Sequence, residues 1–249
     1  MRSVNNVWKL SPSDLCFLYE ECPRCFWLKV ASKLPRPRGP FPGVFSLLDS
    51  QMKRHFLGTR TEQISSAIKP GVVRRGDRWV RSRPLVVPGH STTVVLQGRY
   101  DTAFEFDDGT FGLADYKMTD PRSDRLVRYS RQLHAYALAA EIPAPGAPTL
   151  HPVTQLGLVC VQPTEMVALG GDVAYRGTPR WVEIPRDDRS FVSLLSRVLD
   201  VLESAAPPEP SADCTFCDYI GRRALHLGDR DGSGQAGPTP VGGRLLHDA

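Results

Sequence analysis

The sequence predicts an α/β fold in which a mixed central β-sheet is flanked by helices. Two features support this prediction. Strand-like apolar stretches alternate along the chain with amphipathic helical ones, and an Asp-Gly turn joins two strands shortly before a long helix. The chain has 249 residues, 41% of them hydrophobic, which is enough for one such domain with a substantial core. We therefore expect helices on both faces of the sheet.

The first element is a helix whose start is marked by three residues. Ser11 is the expected N-cap, Pro12 occupies the first helical position and Asp14 complements the helix dipole. The expected elements before the centre of the chain are an extended lead-in over 1–9, this helix over 12–21, a proline-rich basic arm over 32–43, a helix over 44–57 and an arginine-bearing strand region over 70–90. The arm and the arginines suit a phosphate backbone, or equally a stiff linker and a solvated face.

A β-hairpin is predicted at the centre of the chain. Its parts are a strand over 92–106, a turn at Asp107-Asp108-Gly109 and a strand over 111–118. Because side chains alternate along a strand, Asp115 and Lys117 point to the same face. If the two strands are neighbours, Asp101 reaches that face as well.

Two carboxylates and an ammonium group in one place form a chemically useful set. Asp101 and Asp115 offer the oxygen ligands that a hard cation such as Mg²⁺ or Mn²⁺ prefers, and the Tyr116 carbonyl oxygen is a further candidate ligand. A cation held there activates water and stabilises charge on a phosphodiester, while Lys117 orients the attacking water or helps to neutralise the transition state. The alternative is an acidic hairpin with a solvated lysine and no chemistry.

A helix over 124–141 follows the hairpin and carries further polar groups. Gln132 and Tyr136 are four residues apart and therefore lie on one helix face. A row of arginines provides a basic face, which suits a phosphodiester substrate or is simply solvent-exposed. The row consists of Arg122, Arg125, Arg128 and Arg131. The remaining predicted elements are strands over 155–161 and 181–184 and a helix from Asp188 or Ser190 to Glu203.

The motifs G-x-x-D at 98–101, D-x-K at 115–117 and Q-x-x-x-Y at 132–136, in this order, resemble those of the PD-(D/E)XK nuclease superfamily. The resemblance is to its RecB-like branch, which includes CRISPR-associated exonucleases with a cysteine-bound metal cluster, and it spans residues 10–219. It implies a restriction-endonuclease-like core in which acids bind metal, the motif lysine activates water and the Q-x-x-x-Y helix shapes the DNA site. By position, these roles fall on Asp101, Asp115, Lys117, Gln132 and Tyr136.

Two positions bear on how closely the chain follows this family. The middle acid is Asp115, where the family more often has glutamate. A histidine on the helix before the first catalytic acid often joins the metal site in the family, and this makes His55 a candidate ligand. The surrounding sequence fits that pattern only loosely, so a surface or core position for His55 is the alternative.

The six cysteines include two C-x-x-C pairs, Cys22/Cys25 and Cys214/Cys217. This spacing lets two thiolates bind one metal, so the pairs together predict a four-thiolate site for Zn²⁺ or an iron–sulfur cluster. Buried cysteines without a metal, or a structural disulfide, are the alternatives. The resemblance favours iron–sulfur, although the family usually places one cysteine near the N-terminus and three near the C-terminus. The cysteine site would join the segments 10–30 and 207–219.

Together these features predict a metal-dependent DNA nuclease, an exonuclease on DNA ends or single strands, in DNA repair, recombination or phage- or CRISPR-related processing. The alternatives are an inactive nuclease fold that binds nucleic acid or a protein partner, and a zinc protein unrelated to nucleases. A net charge of +4 is compatible with nucleic acid. Lacking a long apolar run or signal peptide, the chain is expected in the cytoplasm without membrane contact, with protein partners in a DNA-processing complex. We expect one domain over 1–227 and a disordered tail over 228–249.

Overall fold

The computed structural model describes residues 7–37, 39–40, 42–74, 76–120, 122 and 126–228. The chain divides into two compact units, residues 1–211 and residues 212–249. Among the described residues, the first unit contains the strands and the helices up to Glu203, including a short 3₁₀ helix at Thr61–Gln63, and the second contains the helix Thr215–Gly228. The expectation of one domain over 1–227 stays a prediction. The expected disorder of the tail concerns residues that, from 229 onward, lie outside the described part of the chain.

The helices were largely predicted from the sequence. They are α1 (a π-helical segment Asp14–Leu18 followed by Tyr19–Glu21), α2 (Pro23–Val30), α3 (Gly43–Phe56), α4 (Leu126–Glu141), α5 (Asp188–Glu203) and, in the second unit, α6 (Thr215–Gly228). The predicted cap is present, because the Asp14 N–H donates to Ser11 Oγ at 3.1 Å. The predicted start of α4 at Asp124 lies outside the described residues. Within the described ranges, no helix is both long enough and apolar enough to cross a membrane.

The strands form one large sheet and two smaller assemblies. They are β1 (Val7–Leu10), β2 (Gly71–Arg74), β3 (Arg78–Arg81), β4 (Leu85–Val86), β5 (Thr93–Tyr100), β6 (Thr102–Phe106), β7 (Phe111–Lys117), β8 (Val153–Val161), β9 (Glu165–Leu169), β10 (Asp172–Arg176) and β11 (Pro179–Glu183). The large sheet has the order β11-β8-β7-β6-β2, with β7 and β8 parallel and the other pairs antiparallel. Strand β5 pairs with β1, β3 and β4, and β9 pairs with β10. The predicted α/β fold with a mixed sheet is confirmed.

The two faces of the large sheet are covered by different helices. Leu158 on β8 belongs to a buried apolar cluster that includes Leu133 of α4 and Leu195 of α5. The next residue of β8, Val159, belongs to a second cluster that contains Phe56 of α3. Because successive side chains of a strand point to opposite faces, α3 lies on one face of the sheet and α4 and α5 on the other.

The predicted strand over 92–106 is interrupted at Asp101, and this interruption positions the candidate site. Strand β5 ends at Tyr100 and pairs with β3, whereas β6 begins at Thr102 and pairs with β7. The loop after β2 packs tightly against the interruption, since a Cβ on Gly76 would lie 1.6 Å from the Asp101 carbonyl oxygen. Only glycine allows the two backbones to approach so closely. The predicted turn between β6 and β7 is present, with φ of +78° at Gly109.

Strands β1, β9 and β10 and helices α2 and α6 were not predicted from the sequence. Residues 7–10, assigned to an extended lead-in, form β1 and pair in parallel with β5, far away in sequence. The hairpin β9–β10 has Gly170 and Gly171 at its turn, a Gly-Gly signal that the sequence does contain. Helix α6 directly follows Cys214.

Candidate active site

The predicted catalytic side chains line one cavity of about 850 Å³ in the first unit. They come from the β5–β6 junction, from β7 and from α4, and they are Asp101, Asp115, Lys117, Gln132 and Tyr136. Tyr116, whose carbonyl oxygen was a candidate metal ligand, lines the same cavity. Residues that are distant in sequence therefore meet around one space.

The two acids and the motif lysine are in direct contact. Asp101 Oδ2 accepts a hydrogen bond from the Tyr116 N–H at 3.2 Å, which fixes this carboxylate beside β7. The Asp101 and Asp115 side chains share a hydrogen bond. Asp115 is only 3% exposed and forms an ion pair with Lys117. The three groups are therefore close together, as the sequence predicted.

Burial and neighbouring charges shift the pKa values of the two acids in opposite directions. Burial raises the pKa of Asp115 to about 8, and the negative charge of Asp101 adds to this while Lys117 opposes it. Burial also acts to raise the pKa of Asp101, but the hydrogen bond from Asp115 and the Lys53 ammonium outweigh it, so this pKa is lowered. Two adjacent carboxyls with pKa values driven apart hold one proton between them. Such pairs are characteristic of functional sites.

Lys53 of α3 is a member of the site that the sequence analysis missed. Its ammonium group lies 2.9 Å from Asp101 Oδ1, 2.9 Å from Asp49 Oδ2 and 3.0 Å from Asp77 Oδ1. These acids raise the pKa of Lys53 against the opposing effect of burial. The spacing of Asp49 and Lys53, four residues apart on a helix, was a signal in the sequence that these side chains form a pair.

His55 does not lie at this site. It lines a different cavity together with Gln63 and Pro179, and its ring packs against Phe56 with the centroids 4.8 Å apart. The reason is the phase of the helix. Lys53 and His55 are two residues apart, about 200° around the helix axis, so they point in nearly opposite directions.

Helix α4 contributes Gln132 and Tyr136 as predicted. Gln132 Nε2 donates to the Tyr136 hydroxyl at 3.4 Å, and the Lys117 ammonium lies 4.4 Å from the centroid of the Tyr129 ring. Gln132 Oε1 is buried and accepts no hydrogen bond from the described residues. A buried polar atom at the wall of a cavity is suited to a polar ligand or water.

The predicted arginine row is only partly available to a substrate. Arg122 is bound to Asp120 Oδ2 at 2.9 Å, and Arg131 forms an ion pair with Glu20. Arg128 is exposed, and Arg125 lies outside the described residues.

The four predicted cysteine ligands lie at the starts of two helices, one pair in each unit. Within each C-x-x-C pair, the first cysteine precedes a helix and the second lies in its first turn, α2 for Cys22 and Cys25 and α6 for Cys214 and Cys217. The Cys217 N–H donates to Cys214 Sγ at 3.5 Å. Each pair therefore presents two thiolates at the start of one helix, the arrangement that binds zinc or an iron–sulfur cluster.

Comparison with known proteins identifies the family. A family model described as the PD-(D/E)XK nuclease superfamily matches residues 47–222, most of the chain and all of the cavity-lining motifs. The chain belongs to the PD-(D/E)XK nuclease superfamily. Among solved structures, it is similar to one titled "Crystal structure of SSO0001", with 15% identity, a TM-score of 0.48 and coverage of 89% of this chain and 86% of that one. No curated protein matches it.

Superfamily membership supports a phosphodiester hydrolase and implies a divalent cation, and the donor set fits such an ion. Asp101 and Asp115 provide carboxylate oxygens at one wall of the cavity, which is the ligand type that Mg²⁺ and Mn²⁺ prefer. The Lys53 ammonium contacts Asp101 Oδ1, and the raised pKa of Asp115 favours a proton on that carboxyl. Cation binding therefore competes with both.

Proposed function

We propose that this PD-(D/E)XK protein is a metal-dependent deoxyribonuclease of the RecB-like class that cleaves DNA from ends or along single strands. One observation carries the proposal: at the wall of an open cavity, Asp115 of the D-x-K motif contacts both Lys117 of that motif and Asp101 at the β5–β6 junction. The cavity of about 850 Å³ leaves room for a phosphodiester and water beside these groups.

Each side chain has a role that follows from its position. Asp101 and Asp115 hold Mg²⁺ or Mn²⁺, with the Tyr116 carbonyl oxygen as a further ligand. The bound cation supplies Lewis-acid stabilisation of phosphate charge. Lys117, oriented by Asp115 and the Tyr129 ring, positions the attacking water. Gln132 Oε1, which lacks a partner among the described groups, accepts a hydrogen bond from that water or from the substrate, and Tyr136 holds its amide in place.

We further propose that Cys22, Cys25, Cys214 and Cys217 hold an iron–sulfur cluster with a structural role. Zinc is the alternative that the same four thiolates would bind. The visible absorption spectrum of anaerobically purified protein, with iron and zinc analysis, decides between them. Sulfur-to-iron charge-transfer bands with stoichiometric iron support the cluster, whereas a colourless protein with one zinc ion contradicts it.

The biological setting that we propose is DNA repair, recombination or phage- or CRISPR-related processing in the cytoplasm, in a complex with other DNA-processing proteins. The support for this setting is the RecB-like order of the motifs.

The deciding experiment measures cleavage of single-stranded, double-stranded and flapped DNA with Mn²⁺. Wild-type protein is expected to cleave at least one substrate, and Lys117→Ala to lower the rate about 10²- to 10⁴-fold with DNA binding largely intact. The matched control is Lys69→Ala, because Lys69 is also a paired lysine but contacts Asp108 at 3.0 Å on the surface. Absence of cleavage by wild type on every substrate would favour the inactive-module alternative. Full activity of Lys117→Ala would refute the role of the lysine.

A further inference from the structure

We propose that the solvent-facing side of strands β3 and β5 binds an unpaired nucleic-acid strand, with Trp79 as the platform on which a base stacks. This inference rests on the proposed nuclease function and narrows its substrate to strands with accessible bases. It is carried by an exposed tryptophan, by the arginines around it and by its continuity with the active-site cavity.

Trp79 is unusual in its exposure. It is 54% exposed, whereas Trp8, Trp27 and Trp181 are partly buried and pack against the two apolar clusters. In the antiparallel ladder, Trp79 lies directly opposite Arg99, and Arg81 lies opposite Gln97. These four side chains share one face of the ladder, since residues two apart on a strand point the same way. On the other face, Val80 is fully buried.

This face leads into the active site. Arg99 stands opposite Trp79 and also lines the cavity that contains Asp101. Arg99 and Asp101 are two residues apart, a distance of roughly 7 Å along an extended chain. A strand with its phosphodiester at Asp101 therefore passes Arg99 and reaches Trp79 without leaving the surface of the protein.

The charges on this face are available to a ligand. Arg81 and Arg99 are exposed, and within the described part of the chain neither forms an ion pair. Other exposed arginines are paired, such as Arg74 with Glu105 at 2.7 Å and Arg60 with Asp107 at 2.6 Å. The nearby Asp77 carboxylate is bound by Lys53, and its carbonyl oxygen accepts from Arg99 Nε at 3.3 Å.

The combination of an exposed indole and unpaired guanidinium groups matches a single strand better than a duplex. Arginines attract the phosphates of any nucleic acid, which gives affinity without selectivity. Stacking on an indole needs the flat face of a base, and in a duplex those faces are covered by neighbouring bases. Aromatic platforms beside basic grooves are a general way to bind single strands. The occupant is therefore an unpaired strand.

The test is equilibrium binding of a fluorescently labelled oligothymidylate, measured by anisotropy in metal-free buffer so that no cleavage occurs. Trp79→Ala is expected to weaken binding roughly 5- to 100-fold, and Trp79→Phe to retain most of the affinity. Binding of a blunt duplex of the same length should be unchanged by either substitution. The matched control is Tyr175→Ala, because Tyr175 is an aromatic residue of similar exposure, 59%, on β10. Thermal melting confirms that each variant is folded.

A second variant tests the charges on the same face. Arg81→Ala is expected to reduce the slope of log affinity against log salt by about 0.7 for the single strand, the change for one lost phosphate contact. The inference is overturned if Trp79→Ala binds the oligothymidylate as tightly as wild type does, or loses single strand and duplex equally. It is also overturned if wild type binds no strand. Since binding is measured without metal, a failure of the proposed cleavage would appear only in the separate Mn²⁺ assay.

Discussion

The two ends of strand β5 carry polar clusters of opposite character. At the start of the strand, Thr92 joins His90 and Glu203 in a compact network. At its end, Asp101 joins Asp115 and two lysines around a cavity. We call the first the closed cluster, because its groups bind one another, and the second the open cluster, because it lines a cavity. The groups of the closed cluster stabilise the fold, whereas those of the open cluster are available for chemistry.

In the closed cluster each polar group has a specific partner. Glu203 Oε1 accepts from the Thr92 hydroxyl at 2.6 Å and from the Thr92 N–H at 3.1 Å, and Glu203 Oε2 lies 3.1 Å from His90 Nδ1. The Thr92 hydroxyl in turn accepts from Trp8 Nε1 at 3.1 Å, and His90 Nε2 lies 2.8 Å from Ser196 Oγ. This network joins β1, the start of β5 and α5. Hydrogen-bond networks in which every member has a partner make a fold rigid and specific.

In the open cluster the groups compete with one another. The pKa values of the two adjacent acids are shifted in opposite directions, the Lys53 ammonium contacts three carboxylates, and Gln132 Oε1 is left without a partner among the described residues. Such an arrangement costs stability and is retained where a ligand completes it. Replacing an acid by its amide should therefore lower the cleavage rate at the open cluster and the stability of the fold at the closed cluster.

The largest expected effect is that of Asp115→Asn on cleavage. The amide keeps the size of the side chain but removes a carboxylate that the proposed cation needs, so the single-turnover rate with Mn²⁺ should fall at least about 100-fold. The free energy of unfolding should change by less than about 1 kcal/mol, because the neutral amide replaces a carboxyl whose charged form burial already disfavours, and Lys117 retains Asp101 as a nearby charge. If Asp115→Asn instead loses much stability but cleaves at the wild-type rate, Asp115 stabilises the fold and does not take part in the chemistry.

Glu203→Gln makes the corresponding change in the closed cluster. We expect it to lower the free energy of unfolding by about 1–3 kcal/mol, since it weakens hydrogen bonds to a charged acceptor. Cleavage per folded molecule should equal that of wild type. Urea denaturation followed by circular dichroism measures the first quantity. If the unfolding midpoint is unchanged, the cluster does not stabilise the fold.

The sequence predicted the open cluster better than the closed one, because its motif residues are local in the chain. Asp115 and Lys117 lie on one strand, Asp101 is one hairpin away, and Gln132 and Tyr136 are one helical turn apart. Strand alternation and helical periodicity alone place these groups on common faces. The family match over 47–222 then confirmed the superfamily that this order of motifs resembles.

What the sequence could not predict depends on packing between distant segments. The helix over 44–57 was predicted, but which of its faces approaches Asp101 is decided by how α3 packs on the sheet through Phe56. Lys53 therefore lies at the site and His55 does not. The close contact of Gly76 with the Asp101 backbone and the parallel pairing of β1 with β5 likewise join residues far apart in sequence.

Lys53→Met should tighten the binding of Mn²⁺, by an amount on the order of tenfold. The ammonium group contacts Asp101 Oδ1, one of the oxygens that a cation would use, so its removal abolishes a competing positive charge. The measurement is calorimetric titration of the protein with Mn²⁺. Lys29→Met is a suitable control, because Lys29 pairs with Asp14 at 2.5 Å, away from the cavity-lining acids. Weaker Mn²⁺ binding by Lys53→Met would mean that the lysine supports the cation site.

The smallest expected effect is the pH dependence of the closed cluster. Burial acts to raise the pKa of Glu203, but hydrogen bonds from Thr92 and His90 outweigh it, so the folded-state pKa is lowered. The unfolded chain then takes up a proton more readily than the folded one, and stability rises with pH in this range. The contribution of Glu203 is complete above its unfolded pKa of about 4.3 and is lost as the pH falls through the lower folded value. The difference in unfolding free energy between wild type and Glu203→Gln should therefore shrink on acidification below that point.

The contributions of two neighbouring groups to this pH dependence, those of His90 and Asp200, have to be distinguished from that of Glu203. His90 Nδ1 contacts Glu203 directly, and Asp200 Oδ1 lies 3.9 Å from His90 Nε2. Repeating the measurement in a His90→Gln background removes the imidazole, and an Asp200→Asn variant removes the second acid. If the difference between wild type and Glu203→Gln still shrinks below the unfolded pKa in both backgrounds, the dependence belongs to Glu203. If it disappears with His90, the ion pair rather than the Thr92 hydrogen bonds is what lowers the pKa of Glu203.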